Sequence, residues 1–172
     1  MTEAEAAVLD AATADANASA GAAGGAIGGA IGGWLGAGGP GAVGGRAGGR
    51  TGGGAGGRFG ARFLKPMTAE TTVEVACAPD TARERARALI AGSGRVIEDP
   101  NGADDGSVWG IVASGAMNLV PALVWVQAEA AGRGGSRVHV RATGKEGLIK
   151  QRIAAKAVDR IAEAISQSSL TA

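Results

Sequence analysis

"TTVEVACAPDTARERARALIAGSG" (Thr71–Gly94) changes its period halfway along. The first seven residues alternate, which puts Val73, Val75 and Cys77 on one face of a β-strand. From Pro79 the apolar residues return at helical spacing instead. Ala82, Ala86, Leu89 and Ile90 share an inward face, Asp80 or Thr81 is placed to cap the start, and Gly92 lies near the end. A strand handing over to an amphipathic helix opens the domain, and the rest of residues 66–172 follows from it.

After that helix, "RVIED" (Arg95–Asp99) reads as a strand closed by the turn signal "DPNGADDG" (Asp99–Gly106). "SVWGIVA" (Ser107–Ala113), "ALVWVQAEA" (Ala122–Ala130) and "SRVHVRATG" (Ser136–Gly144) read as three more, with "GRGG" (Gly132–Gly135) as a hairpin turn. The last alternates cleanly: Val138, Val140 and Ala142 point inward, while Arg137, His139 and Arg141 point out. From about Lys145 to Gln167 a long helix aligns Ile149, Ile153, Ala157, Val158, Ile161 and Ile165. The expected class is α+β: an antiparallel sheet of four to five strands with one short and one long helix on one face.

Two further segments precede this domain. Residues 1–20 read as an acidic, alanine-rich helix or tail. Thr2 is placed to cap it, and Glu3 and Glu5 sit in its first turn, where the helix dipole favours anions. Residues 21–65 are glycine-rich: 21 of the 32 glycines fall between Gly21 and Gly60. Glycine returns every fourth residue, at Gly24, Gly28, Gly32 and Gly36 and again at Gly25, Gly29 and Gly33. Ile27, Ile31 and Leu35 keep the same spacing. "GGPG" (Gly38–Gly41) is a turn signal, after which the ladder resumes and carries Arg46, Arg50, Arg58 and Arg62. A flexible linker needs glycine but no period. The period therefore favours a helical surface, as one helix or a hairpin turning at 38–41.

Such a helix is weak in isolation. Each glycine costs about 1 kcal/mol relative to alanine in a helix interior, so the eight from Gly21 to Gly36 cost about 8 kcal/mol together. Packing against another helix, where small residues let backbones approach, would offset that. Insertion into a membrane is only weakly driven. Ile27, Ile31 and Leu35 supply about −0.3 to −0.6 kcal/mol each, against about 2.5 to 3.5 for one central arginine.

The stretch "GGAIGGAIGGWLGAGGPGAVGG" (Gly24–Gly45) resembles the glycine-zipper families of bacterial membrane-associated proteins. That resemblance implies membrane association and homo-oligomerisation through helix-packing positions Gly24, Gly25, Gly28, Gly29, Gly32, Gly33 and Gly36. Those families commonly carry a signal peptide or a lipoprotein cysteine, and the acidic start of this chain shows neither. For residues 68–167, the element order resembles the START/polyketide-cyclase (SRPBCC) superfamily in shortened form, or the TATA-binding-protein-like fold. It rests on "VEVACAPDTARERARALI" (Val73–Ile90) opening and a long amphipathic helix closing. The superfamily resemblance implies a cavity for an apolar ligand between sheet and last helix, although a chain this short favours a filled core.

Charge divides along the chain although it nets only +1. Residues 1–20 carry four acidic groups and no basic one. Residues 21–65 carry Arg46, Arg50, Arg58, Arg62 and Lys65 and no acidic one, a candidate contact for an anionic surface. If the glycine-rich segment crosses a membrane, the charge rule puts the C-terminal domain in the cytoplasm. "GGRAGGRTGGGAGGRFGAR" (Gly44–Arg62) holds a single aromatic, Phe59, which argues against a nucleic-acid partner.

No catalytic constellation emerges. His139 is the one histidine and stands between arginines on a polar face, with no second histidine and no CxxC motif to make a metal site or triad. Cys77, the one cysteine, falls on an inward face and reads as a structural thiol. Glu98, Asp99, Asp104 and Asp105 lack calcium-loop spacing and read as a solvated turn. "GAMNLVPALVW" (Gly115–Trp125) offers Met117, Asn118, Pro121 and Trp125 as a pocket mouth, with a bulge or edge strand as the plainer reading. No cofactor is expected. Two functions follow. One is a non-enzymatic, membrane-associated or self-associating protein whose zipper helices present a cytoplasmic binding domain. The other is a soluble domain on a flexible glycine-rich tether, binding an apolar small molecule.

Overall fold

The structure is a computed structural model. It describes residues 1–35, 64–103, 105–114, 120–132, 134–146 and 151–168, with the backbone alone for 21–35 and 168. Met1–Leu9 and Lys65–Ala172 form one compact unit, and Asp10–Leu64 another. Helix α1 (Glu3–Leu35) begins in the first unit and continues in the second. In the first unit there follow β1 (Lys65–Val75), α2 (Pro79–Ser93), β2 (Gly94–Ile97), β3 (Val108–Ser114), β4 (Val120–Ala130), β5 (Ser136–Glu146) and α3 (Ile153–Ser168).

The five strands form one antiparallel sheet in the order β1-β5-β4-β3-β2, so the chain is α+β. The hairpins β3–β4 and β4–β5 make the centre, and β1 crosses to the far edge to pair with β5. Side chains alternate as the sequence dictates: Val138, Val140 and Ala142 are buried on one face, and Arg137, His139 and Arg141 lie on the other. Both α2 and α3 pack on the first face.

That face is filled. Val108, Val124, Val126, Val138, Val140 and Ala142 from the sheet, and Ile153, Ala157, Val158, Ile161 and Ile165 from α3, are each at most 2% exposed. Side chains lining a cavity wide enough for water would keep accessible surface, and these keep almost none. The cavity that the superfamily resemblance implies is therefore closed along these residues. Small side chains explain it: valine and alanine dominate the sheet face, so α3 settles close. A Cβ on Gly144 would stand 2.7 Å from Ile153 Cγ2. The Glu146 carboxylate accepts the Ile153 N–H at 2.6 Å, and the Ser114 hydroxyl donates to the Ile153 carbonyl at 2.9 Å. The first of these bonds takes up a backbone donor that a helix start otherwise leaves unpaired.

Several local expectations differ from what is observed. Helix α2 is not capped by Asp80 or Thr81. Its N-cap is Ala78, without a side-chain bond, and Pro79 occupies the first turn, where a fixed φ suits a helix and no N–H is missed. The closing helix starts at Ile153 rather than near Lys145, because Lys145 and Glu146 extend β5 to its full pairing with β1. Ile149 lies outside the described residues. The acidic helix and the first glycine ladder are one continuous helix, α1, through Leu35. Among the described residues, no helix is long and apolar enough to cross a membrane.

Candidate functional site

The face of the sheet opposite the helices carries the polar and aromatic side chains. Register sets them in rows. Trp109 on β3 lies opposite Trp125 on β4, Trp125 opposite Arg141 on β5, and Arg141 opposite Glu70 on β1. The adjacent row runs Gln127, His139 and Thr72. Period-two alternation on four strands puts all of these on one surface, which no single segment of sequence reveals.

Arg141 is the centre of this surface. Its guanidinium lies 5.8 Å from the Trp109 ring centroid and 5.3 Å from that of Trp125. The two rings are 6.4 Å apart and tilted by 59°. Each contact is within cation–π range. Arg141 Nη2 also donates to Glu5 Oε1 at 2.7 Å. The Glu5 side chain is 4% exposed and that of Arg141 32%, so the carboxylate is covered while the arginine stays open to solvent.

Glu5 is held ready for this contact by its own helix start. The Thr2 hydroxyl accepts the Glu5 N–H at 3.2 Å, and Glu5 Oε2 accepts the Thr2 N–H at 2.9 Å, a reciprocal capping box. Thr2 also donates from its hydroxyl to Asn101 Oδ1 at 2.7 Å. The first turn of α1 is thus fixed to the sheet's outer face within the same compact unit.

Beside this contact an open cleft of about 590 Å³ is lined by Trp125, Gln127, His139, Arg141, Thr72, Glu70, Thr71, Glu129 and Val140. The Thr72 hydroxyl and His139 Nδ1 lie 3.0 Å apart on its floor. Its volume falls in the range of small-molecule sites. Trp125, half-buried, offers a flat apolar wall. Thr72, Gln127, His139 and Arg141 give the cleft hydrogen-bond donors and acceptors.

A second cleft, of about 670 Å³, lies where α2 faces β2 and the loop to β3, with Arg83, Glu84 and Arg87 on one side and Ile97, Glu98 and Trp109 on the other. Arg83 pairs with Asp80 at 3.1 Å. The nearby carboxylates build turns: Asp99 accepts the Asn101 N–H at 2.7 Å and Asp105 that of Ser107 at 2.9 Å. The Ser107 hydroxyl and N–H hold the Asp105 carboxyl below the usual carboxylate range. Among the described residues no three His, Cys, Asp or Glu side chains converge on a metal position.

The residues singled out from sequence fall as follows. Trp125 lines the outer-face cleft. Pro121 is buried in β4, where it pairs with Ala113 of β3 just before the pairing with β5 begins, so its missing N–H breaks no bond to β5. Met117 and Asn118 lie outside the described residues, as do Gly36, Arg46, Arg50, Arg58 and Arg62. Lys65 is the exposed first residue of β1. Gly24, Gly25, Gly28, Gly29, Gly32 and Gly33 lie on the helical backbone of α1, their surroundings outside the description. Cys77 is half-buried against the core, with Arg85 Nη1 at 3.9 Å from its sulfur. The sequence alone does not reveal the Glu5–Arg141 pair, whose partners are 136 positions apart, nor Trp109 beside Arg141, which strand register brings together.

No protein-family model matches the chain, and no curated protein sequence matches it. Two solved structures are among those to which the chain is similar. "Structural of START superfamily protein from Mycobacterium smegmatis" covers 60% of this chain and 97% of its own at 9% identity and a TM-score of 0.44. "Crystal structure of Ara h 8.0201" covers 63% and 100% at 17% identity and a TM-score of 0.35. At these scores the fold class rests on the strand pairing described above.

Proposed function

We propose that this chain is a non-enzymatic binding module whose ligand is a small apolar or amphipathic molecule, held on the outer face of the sheet rather than beneath α3. The observation that carries this reading is the cleft of about 590 Å³ in which the Trp125 ring stands beside Arg141. A flat apolar body stacks on Trp125, and Gln127, His139 and Arg141 read its polar edge. The filled core supports the outer location, since α3 would have to leave the sheet to admit a ligand there. In sequence, the glycine-rich segment runs between the first turns of α1 and β1, both part of this module.

Titration calorimetry with a panel of planar aromatic compounds tests the proposal. Binding that is lost in Trp125→Ala while the melting curve keeps its shape supports it. Unchanged binding in that variant places the ligand elsewhere.

A second reading is favoured by one observation: α1 runs unbroken through the first glycine ladder to Leu35. Here Gly24, Gly28 and Gly32 let α1 pack against another helix, with Arg46, Arg50, Arg58, Arg62 and Lys65 facing an anionic surface. Cell fractionation separates the two. Detergent-dependent recovery that disappears on deletion of residues 21–60 supports the second; full recovery without detergent, as a monomer, removes it.

A further inference from the structure

Arg141 belongs to two structures at once. It lines the outer-face cleft, and it holds the Glu5 carboxylate that fixes the start of α1. Among the described residues, its one ion-pair partner is Glu5, through Nη2. The two tryptophans pack on the guanidinium and so define where a carboxylate can meet it. We infer that the cleft takes a planar monocarboxylate whose head group competes with Glu5 for Arg141, so that binding loosens the first turns of α1. This rests on the cleft reading above and adds its ligand class and its regulation.

Charge explains why a single carboxylate fits. Glu70 and Glu129 also line the cleft, and they repel any additional negative charge. Replacing Glu5 by a ligand carboxylate leaves the charge at Arg141 unchanged. A polyanion would bring excess charge against Glu70 and Glu129, and a neutral ligand would lack the ion pair that displaces Glu5 from the guanidinium. The exchange also has a structural consequence. Glu5 ties the capping box of α1 to β5, and the Thr2–Asn101 hydrogen bond is a second polar tie of that turn, so displacing Glu5 removes one of the two. By linkage, whatever weakens Glu5 at Arg141 strengthens the ligand by the same factor.

Full-length protein and Glu5→Gln are titrated with 1-naphthaleneacetate and with its neutral amide. Glutamine keeps the capping-box geometry but not the charge. The acid is expected to bind Glu5→Gln about tenfold more tightly than the unaltered chain, within the usual range of coupling between sites, with the amide unchanged. In the unaltered chain, saturating acid should accelerate hydrogen exchange at the amides of Ala6–Leu9, and the amide compound should not. If the acid binds both proteins equally and exchange at Ala6–Leu9 stays constant, the competition is wrong while the cleft reading stands. If neither compound binds either protein, the cleft reading falls and the competition with it. Should Glu5→Gln fail to fold, exchange in the unaltered chain decides alone: no acceleration by bound acid overturns the inference.

Discussion

Gly144 on β5 faces Ile153 at the start of α3 so closely that a Cβ on the glycine would stand 2.7 Å from Cγ2 and 3.1 Å from Cβ of the isoleucine. Neither atom is the free end of a flexible side chain, so a methyl there must move the helix or the strand. Gly144→Ala is expected to cost about 1–3 kcal/mol, as overpacking does. Urea unfolding followed by circular dichroism measures it. An unchanged midpoint would mean that α3 is not seated on the sheet as described.

Gly92 makes the opposite case. It lies in α2, exposed, and a Cβ there meets nothing within 4 Å. Gly92→Ala should raise stability by about 0.5–1 kcal/mol, because alanine loses less backbone freedom on becoming helical. The same unfolding assay applies, and a loss of stability would contradict the open surroundings.

Ile161 sits in the middle of the α3 face, 2% exposed, against the sheet. Ile161→Ala should cost about 2–5 kcal/mol through lost burial and a residual cavity. A cost well under that range would show that the interface between α3 and the sheet is loosely packed or already hollow.

The folded pKa of Asp105 is lowered. The Ser107 hydroxyl and N–H favour the charged form. A depressed carboxyl contributes stability above its unfolded pKa and loses it as pH falls through the folded value. The group is largely exposed, so the effect on stability is small, and NMR is the better readout. The Asp105 carboxyl should titrate below pH 3.8, its ordinary value. Ser107→Ala should move it upward while leaving the backbone bond in place. A midpoint at or above the ordinary value in the unaltered chain would contradict the geometry.

The helix across the first glycine ladder also has a measurable cost. Replacing Gly24, Gly28 and Gly32 together by alanine should favour the helix by about 3 kcal/mol in sum. A peptide of residues 1–35 carrying these changes should show markedly more helical dichroism than the unaltered peptide. Equal and low helicity in both would mean that this stretch is not helical on its own terms even when its propensity is restored.

Period alone determined much of this protein. Alternation in "SRVHVRATG" set Val138 and Val140 against the core and His139 and Arg141 away from it, since a pleated strand admits no other arrangement. The 3.6-residue spacing of Ile153, Ala157, Ile161 and Ile165 likewise fixed which side of α3 is buried, and Thr2 with Glu5 already spelled a helix start. These are local facts, decided within a few residues of chain. Where α3 begins was not local: β1 pairs with β5 as far as Glu146, and those ladder hydrogen bonds take residues that would otherwise continue toward a helix. The cleft was still less local. Trp125, Arg141 and Glu5 come from two strands and a distant helix, and only strand register and the docking of α1 bring a carboxylate to a guanidinium already flanked by two indole rings.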